Sequence, residues 1–366
     1  MVAMLLYGLF IAIFGIQLVY LVGFGYFFPA RRTWPTPVKF PGVSILIAAK
    51  NEHATLSSNL VHILQQEYPT FEVIVINDAS TDNSLSFLTQ IQKDYPHLKC
   101  INLPPSADYT GNKKNALRQG IQAAQYDQLL FTDADCTPNS THWIHYMMRP
   151  LQTSKDLVLG YGGYQKSGSF LNKLIRYETL LTAIQYFSYA EMGLPYMGVG
   201  RNLAYTKSLL TEEPYASHQH LQSGDDDLLV NTYSTAQNTA TMIDPKSFTY
   251  SAPKKTIKAW ITQKRRHYTT ANHYKTSHQF LLGLFFGSQF LFWILAIILL
   301  SMAFNWFSVI SLVLIRLAIQ YLSYRKAVKK LKEVDLIPFL PILDFSLVIV
   351  QLYCGILNLI SKPKNW

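Results

Sequence analysis

The chain has 366 residues, of which 49% are hydrophobic and only 15% are charged. Ordinary soluble proteins have about 25% charged residues, so this composition excludes that class. The net charge of +10 does not indicate nucleic-acid binding, because much of the basic excess lies beside apolar segments and in Lys254–Arg266. Anionic lipid head groups are the simpler partner for such segments. We therefore expect membrane lipids, and no nucleic acid, among the partners.

The first predicted element is a membrane anchor. Residues 2–28 contain no Asp, Glu, Lys or Arg, and this run is longer than the roughly 20 residues that a helix needs to cross a bilayer. It lacks the basic start and the small-residue cleavage site of a signal peptide, which favours a retained anchor over residues 1–30. Arg31 and Arg32 follow directly, and the positive-inside rule then places the downstream segment in the cytoplasm.

Residues 38–275 are expected to form one α/β domain. Val43–Ala49 and Phe71–Ile76 are continuous apolar runs, which is typical of strands covered on both faces of a parallel sheet. Two further strands are predicted at Leu98–Asn102 and Gln128–Thr132. Amphipathic helical stretches lie between the strands, near residues 54–66, 84–93 and 113–125. This alternation predicts βαβ units and a mostly parallel sheet.

Polar clusters follow three of these strands. They are Lys50–Glu52, Asn77–Ser84 and Asp133–Asp135. Because ligands bind beyond the carboxyl ends of parallel strands, we expect the three loops to meet at one edge of the sheet. Helix capping by Asp82 or Ser84 explains part of the second cluster. On an extended backbone Asp133 and Asp135 point the same way, which predicts a site for Mg²⁺ and substrate phosphates.

Two helices are predicted in the second half of the α/β segment. Leu171–Met192 is rich in Leu, Ile, Tyr and Phe at helical spacing, and the sequence leaves open a core helix or an interfacial helix beside a lipid acceptor. Around Lys254–Tyr268, basic residues alternate with Ile257, Trp260 and Ile261. This pattern favours an amphipathic helix at a membrane surface over a solvated helix.

Residues 278–366 are predicted to be a membrane region with two or three further transmembrane helices. Residues 280–304 carry no charged side chain, 306–324 carry only Arg316, and 336–360 carry only Asp344. Charged groups inside a bilayer are costly unless they are paired, so we expect these two to form a structural ion pair. The last segment contains two prolines, which leaves open whether it spans the bilayer or is re-entrant.

The strand ends resemble those of family 2 glycosyltransferases with the GT-A fold, and the resemblance covers most of residues 40–270. Val43–Glu52 is similar to the family's opening strand, which ends in Asn-Glu. Ile74–Asp82 resembles its Val-Asp-Asp-Gly-Ser-Thr-Asp loop, with Asn77 and Ala79 replacing the usual Asp and Gly. In the family the second Asp of that loop recognises the donor nucleoside, a role that falls to Asp78.

Three further motifs carry the same resemblance. Gly111–Leu117 is similar to the family's Gly-Lys-x-x-Ala-Leu-Asn segment, which places Lys113 near the donor. Asp133-Ala134-Asp135 matches the metal-binding Asp-x-Asp, and this implies Mg²⁺ or Mn²⁺ held by Asp135 with help from Asp133. Tyr196–Tyr205 resembles the glycine-rich segment on the acceptor side, with Gly200, Arg201 and Asn202 at its centre.

The last two motifs resemble the family's catalytic-base motif and a motif of its membrane-bound members. Ser223–Leu228 resembles the Gly-Asp-Asp motif of the base, and the alignment leaves Asp226 and Asp225 as alternatives, with Asp226 preferred. Gln263–His267 resembles Gln-x-x-Arg-Trp, with His267 in place of Trp. The resemblance implies that Glu52 and Arg266 lie on the donor side and that Gln263 and His267 lie on the acceptor side.

Together these features predict an inverting glycosyltransferase at the cytoplasmic face of the cell membrane. It would transfer a sugar from a nucleotide-diphosphate donor, UDP by default with GDP as the alternative, to a lipid or lipid-linked acceptor. The sequence leaves open a processive polysaccharide synthase, which usually needs more membrane helices. A nucleotidyltransferase and an inactive scaffold are the remaining alternatives.

Overall fold

The computed structural model describes residues 1–29, 34–35, 39–106, 109–210 and 224–361. Arg31 and Arg32, which set the predicted orientation, and Ser223 of the predicted base motif lie outside these ranges. The strands are β1 Val43–Ala49, β2 Phe71–Asp78, β3 Leu98–Leu103, β4 Gln128–Phe131, β5 Cys136–Pro138, β6 Leu157–Leu159, β7 Gly162–Tyr164, β8 Leu203–Thr206, β9 Thr239–Thr241 and β10 Thr249–Ser251. The α-helices are α1 Val2–Phe27, α2 His53–Leu64, α3 Ser84–Ile91, α4 Lys113–Ala123, α5 Trp143–Met148, α6 Phe170–Glu191, α7 Asp227–Tyr233, α8 Ile257–Tyr268, α9 Thr276–Ser301, α10 Trp306–Lys330 and α11 Leu340–Ile360.

The main sheet has the strand order β3-β2-β1-β4-β8-β6-β9. Only β8 runs against the other strands, because it pairs antiparallel with both β4 and β6 while all other pairings are parallel. The predicted mostly parallel α/β sheet is therefore confirmed. A smaller sheet of order β5-β10-β7 lies beyond the end of β4.

Alternation along the strands explains why the first strands are apolar throughout. In β1, Leu46 belongs to the core on one face of the sheet, whereas Ile45 and Ile47 belong to the core on the other face. The first face packs against α4 and α6, and the second packs against α2 and α5. Successive residues of a strand point to opposite faces, so a strand covered on both faces must be apolar at every position.

Helix α6 is a core helix that also lines a cavity. Sixteen of its side chains, including Tyr177 and Tyr186, are buried. The same helix contributes Glu178 and Gln185 to the wall of the large cavity described below. The structure agrees with the core helix, and the position of α6 beside a lipid acceptor stays a prediction.

Helix α8 differs in part from the predicted surface helix. Its Trp260 is fully buried and the helix packs against α11, while Ile257 on the first turn is 54% exposed. Protein therefore covers most of the apolar face that the pattern assigned to the membrane.

Four helices are long and apolar enough to cross a membrane: α1, α9, α10 and the segment Val334–Ile360, which contains α11. A short 3₁₀ helix, Val334–Phe339, precedes α11 and contains Pro338. Helix α11 itself is continuous from Leu340 to Ile360. Of the two alternatives for the last segment, the continuous helix agrees with the spanning one.

The predicted ion pair lies at the centre of the helix bundle. Arg316 of α10 donates to Asp344 of α11, with 3.0 Å between Nη1 and Oδ2, and both side chains are buried. Gln17 of α1 accepts a hydrogen bond from Arg316 at 3.1 Å. Gln289 of α9 and Gln320 each donate to Asp344 Oδ1 at 2.8 Å. One buried polar network thus joins all four candidate membrane helices.

A second charged cluster joins the bundle to the α/β part. Arg176 of α6 donates to Asp335 Oδ2 at 2.8 Å and to Glu333 Oε2 at 2.9 Å. Both acids lie in the connection between α10 and α11, and the hydroxyl of Tyr161 also donates to Glu333. Because an Arg–carboxylate fork restricts orientation as well as distance, α6 has a fixed position relative to the membrane helices.

We predict that Asp344→Asn lowers the free energy of unfolding by about 3–5 kcal/mol, because Arg316 would then be buried without its counter-ion. The double variant Arg316→Gln/Asp344→Asn removes both charges and is expected to recover most of this loss. The measurement is the melting temperature of the detergent-solubilised protein. Arg325→Gln, at an exposed position of the same helix, is the control. Equal melting temperatures for the wild type and Asp344→Asn would contradict a stabilising ion pair.

Candidate active site

One cavity of about 740 Å³ lies beyond the carboxyl ends of β1 and β4. We call it the central cavity. Eleven of the residues predicted for the site line it: Glu52, Lys113, Asp133, Asp135, Gly200, Arg201, Asp225, Asp226, Gln263, Arg266 and His267. Two predicted residues, Asp78 and Asn202, do not line this cavity. The acids after β4 and the acids before α7 therefore face one space.

Lys113 joins these two groups of acids. It is the first residue of α4, and Asn112 caps that helix by accepting the backbone N–H groups of Lys114 and Asn115. The Lys113 ammonium lies 2.9 Å from Asp133 Oδ1 and 2.8 Å from Asp225 Oδ2. Burial alone would lower the pKa of Lys113, but the nearby carboxylates outweigh it and hold that pKa well above its usual range. The lysine is therefore charged whenever the acids are.

The aspartate pair lies in a turn and not on an extended strand, because β4 ends at Phe131 and the amide of Cys136 donates to the carbonyl of Asp133. The two carboxylates and the Cys136 thiol nevertheless lie within 4.8 Å of one another. Burial and then the charge of Asp133 raise the pKa of Asp135. Asp133 shows the opposite shift: its pKa is lowered, because Lys113 and two arginines outweigh the effect of burial.

This donor set fits a hard divalent cation. Carboxylate oxygens are the ligands that Mg²⁺ prefers, and Asp135 has no ion-pair partner within the described part of the chain that would compete for it. The Cys136 thiol lies 3.0 Å from the Ser251 hydroxyl, and burial raises its pKa, so it stays protonated. A cation would bind the two aspartates and relieve the repulsion that raises the pKa of Asp135.

Asp226 and Asp227 open helix α7 after a glycine in the left-handed region. Gly224 has φ +89°, and an added Cβ there would lie 2.5 Å from Leu228 Cδ1, so this position requires glycine. The Asp226 carboxylate caps the helix by accepting the amide of Asp227 at 2.8 Å, and it also accepts the amide of Gly200. Burial, followed by the charges of Asp225 and Asp227, raises the pKa of Asp226 to about 7.

The carboxylate of Asp227 makes structural hydrogen bonds. Its Oδ2 accepts hydrogen bonds from the hydroxyls of Thr270 and Tyr274, the latter at 2.7 Å. These contacts tie the start of α7 to the segment after α8. Asp227 is also the first residue of α7, where a carboxylate interacts favourably with the helix dipole.

Helix α8 supplies the opposite wall. Arg266 acts electrostatically on Asp225 and Asp133; burial lowers its pKa, although these acids oppose the shift. His267 lines the cavity and is exposed to it. Desolvation and then the charges of Lys264 and Arg266 hold the pKa of His267 well below its usual range, so the ring is neutral. Gln263 Oε1 is buried and has no hydrogen-bond partner among the described residues.

The predicted acceptor segment divides between cavity and core. The Arg201 guanidinium lies 4.4 Å from the centre of the Tyr164 ring and donates to the carbonyl of Gly163. Asn202 is fully buried: its amide donates to the carbonyls of Tyr161 and Ser247 at 2.9 and 2.7 Å. Its oxygen accepts from the Trp143 indole. Because all these contacts are internal, Asn202 holds the cavity wall in place and does not reach the cavity.

Asp78 lies beside the cavity at the end of β2. Tyr109 donates to its Oδ1, while Oδ2 is buried with no hydrogen-bond partner in the described ranges. A Cβ added to Gly111, at φ +109°, would lie 3.2 Å from that free oxygen. Glu52, in contrast, lines the cavity. Burial and the charge of Asp135 raise the pKa of Glu52, although the hydrogen bond from Thr55 acts in the opposite direction.

Sequence reasoning did not identify one charged pair in the wall. Glu178 and Lys264 lie 2.6 Å apart and are each about one-tenth exposed. The available signal was a carboxylate within a segment of α6 that is rich in Leu, Ile, Tyr and Phe. Its partner could not be inferred, because the two residues come from helices that are distant in the chain.

Comparison with known proteins places part of this chain in a family. Residues 44–207 match the family described as glycosyl transferase family 2. Over 148 residues the chain is 31% identical to poly-β-1,6-N-acetyl-D-glucosamine synthase of Staphylococcus epidermidis; this match covers 39% of the chain and 34% of that protein. Over 107 residues it is 37% identical to β-monoglucosyldiacylglycerol synthase of a Nostoc species, covering 29% of the chain and 22% of that protein. The matched segments thus span about a third or less of these relatives.

A solved structure shows the fold over nearly the whole chain. The mannosyltransferase of Pyrobaculum calidifontis, in complex with GDP-Man and Mn²⁺, superposes with a TM-score of 0.60 over 90% of this chain and 99% of that one, at 18% identity. The likeness confirms the expected GT-A-like fold. Residues 44–207 therefore match glycosyl transferase family 2, and they lie within a GT-A-like fold that carries four candidate membrane-spanning helices.

Proposed function

We propose that the protein is an inverting glycosyltransferase of the cytoplasmic membrane face that moves a sugar from a nucleotide-diphosphate donor to a lipid or lipid-linked acceptor. One observation carries the proposal. The cavity that holds Asp135, Lys113 and Asp226 also has Leu282 and Phe286 of α9 in its wall. A charged end suited to a diphosphate is therefore continuous with an apolar end formed by a candidate membrane helix.

The charged end supports donor binding. Asp135 and Asp133 would hold Mg²⁺ or Mn²⁺, which acts as a Lewis acid on the diphosphate leaving group. The cationic groups of Lys113 and Arg266 add positive potential where negative charge develops. The free Oδ2 of Asp78 is suited to accept a hydrogen bond from a nucleoside, as the family resemblance implies. A uridine or guanosine diphosphate would satisfy this arrangement, and the P. calidifontis structure contains GDP-Man.

The base chemistry falls to Asp226. The acceptor oxygen attacks the anomeric carbon, its proton passes to a carboxylate, and the bonding electron pair leaves with the nucleotide diphosphate. A general base works best with a pKa near the operating pH, and the raised pKa of Asp226, about 7, meets this condition. Asp225 is the alternative base, but its carboxylate is held by the Lys113 ammonium.

Polysaccharide synthesis is the second candidate, because one group of relatives is named for a poly-N-acetylglucosamine. A processive enzyme must pass its product through or along the membrane bundle. Here the centre of the bundle contains the buried network around Arg316 and Asp344, which favours a single transfer to a lipid. The length of the glycan formed separates the two candidates.

Membranes that contain the protein, incubated with a panel of nucleotide sugars and Mn²⁺ or Mg²⁺, are expected to release nucleotide diphosphate. We predict that Asp226→Asn lowers the rate about 10²–10⁴-fold through loss of the base, and that Asp135→Ala abolishes it through loss of the metal. Asp244→Ala, which changes a capping residue outside the cavity, is the control. Normal turnover by Asp135→Ala would refute the metal assignment. A nucleoside monophosphate in the product would indicate nucleotidyl transfer instead.

The pH dependence tests the base. Below its pKa Asp226 carries a proton and cannot accept another, so kcat/KM should rise with pH through about 7 and level off above it. Removing the neighbouring negative charge with Asp225→Asn should move this rise to lower pH, because that charge contributes to the raised pKa. The measurement is a pH–rate profile of both proteins. An Asp225→Asn variant with no residual activity, beside an active Asp226→Asn, would make Asp225 the base.

A further inference from the structure

The cations that line the central cavity are unevenly distributed. Six lysines and arginines line it, and five of them lie around the acids of the charged end: Lys50, Lys113, Arg201, Lys254 and Arg266. Lys113 pairs with Asp133 and Asp225, and Arg201 acts on Asp133 and Asp135. Lys254 acts on Glu52 and Asp135. Positive potential for a diphosphate is therefore concentrated at one end.

The sixth cation, Lys264, lies in the opposite wall and is neutralised. Its ammonium lies 2.6 Å from Glu178 Oε2, and both side chains are about one-tenth exposed. Thr182 donates a further hydrogen bond to Glu178. The neighbouring His267 is neutral, because desolvation and the adjacent cations hold its pKa well below the usual range. The Glu178–Lys264 pair and His267 therefore offer no net charge to an ionised head group.

Two side-chain amides in the same wall have free hydrogen-bonding atoms. Gln185 Nε2, on a residue that is 2% exposed, has no acceptor among the described residues, and Gln263 Oε1 has no donor there. Unsatisfied buried polar groups cost free energy, so unpartnered atoms on two residues that line one cavity favour a ligand that pairs with them. One donor and one acceptor match a hydroxyl group, which both accepts and donates.

The neutral wall adjoins the membrane helices. Leu282 and Phe286 of α9 and Gln351 of α11 line the same cavity, and both helices belong to the candidate membrane spans. A molecule that extends from the catalytic acids along this wall must therefore be polar at one end and apolar at the other.

We propose that the acceptor is a lipid with an uncharged, hydroxyl-bearing head, and not a lipid phosphate. This inference rests on the proposed function and specifies its substrate class. Gln185 and Gln263 bind the head group. Glu178 makes the site selective for an uncharged head, because it neutralises Lys264. A phosphate head beside this pair would meet the Glu178 carboxylate, while Lys264 would already be neutralised. The cost of removing the phosphate from water would therefore not be offset there.

The test compares two lipids that differ only in the head. Purified full-length protein in detergent is mixed with 1,2-dioleoylglycerol or with the corresponding 3-phosphate, and bound lipid is measured by native mass spectrometry without any donor. The wild type is expected to prefer dioleoylglycerol. Glu178→Gln leaves Lys264 without its counter-ion and should shift the ratio toward the phosphate by at least about tenfold. The reason is that the new attraction between Lys264 and the phosphate exceeds the free-energy difference of a tenfold change in affinity.

Matched variants separate charge from folding. Glu178→Gln/Lys264→Gln restores a neutral wall and should return the ratio to that of the wild type. Gln185→Leu should weaken dioleoylglycerol binding. Glu67→Gln removes an exposed acid outside the cavity and should leave the ratio unchanged. This control measures the lipid phosphate that binds to basic surfaces and not in the cavity.

A wild type that prefers the phosphate, or an unchanged ratio in Glu178→Gln, would overturn the inference. Because no donor is present, this result is independent of turnover. If the wild type shows the expected preference but releases no nucleotide diphosphate with any donor, the proposed function fails and the binding site remains. If it turns over only with the lipid phosphate, the inference fails and the proposed function remains.

Discussion

The ammonium group of Lys113 lies between two carboxylates from distant parts of the chain, and the arrangement of the central cavity depends on it. Asp133 belongs to the turn after β4, and Asp225 belongs to the loop before α7. Without a cation between them, these two partly buried carboxylates would repel each other across the cavity. The N-terminal position of Lys113 on α4, fixed by the Asn112 cap, places its side chain at the point where both groups meet.

The same cavity connects two different environments. At one end acids and cations alternate around the proposed site for a metal and a diphosphate. At the other end the wall consists of the neutral pair Glu178–Lys264 and of apolar residues from α9. The Arg176 cluster fixes α6 to the connection between α10 and α11, so the wall proposed to face the acceptor has a defined position relative to the candidate membrane helices.

Much of the fold follows from local pattern. The limits of β1 were predicted at Val43 and Ala49 and are confirmed, because a strand buried on both faces gives an uninterrupted apolar run. The candidate membrane helices also follow from local pattern. Helix α10 extends to Lys330, beyond the predicted residue 324, because its basic last turns continue the helix. The pairing of Arg316 with Asp344 could also be predicted, since an unpaired charge in a bilayer is costly.

The predictions that depended on tertiary placement were less complete. Asp133 and Asp135 converge through a turn and not through strand alternation, which no local pattern distinguishes. Asn202 belongs to a motif that resembles an acceptor segment, yet its amide is occupied by internal carbonyls. The pair Glu178–Lys264 joins two helices by a contact of high sequence separation, and single residues carry no signal of such a contact.

The central claim is that Lys113 holds both acidic groups in one cavity, and double-mutant cycles on unfolding test it most directly. Lys113→Met is combined with Asp133→Asn and, separately, with Asp225→Asn in the detergent-solubilised protein, with Asp244→Asn as the unlinked control. The structure predicts a coupling free energy of about 0.5–3 kcal/mol in both cycles and none in the control. Coupling to only one of the two aspartates, or to neither, would contradict the shared cavity.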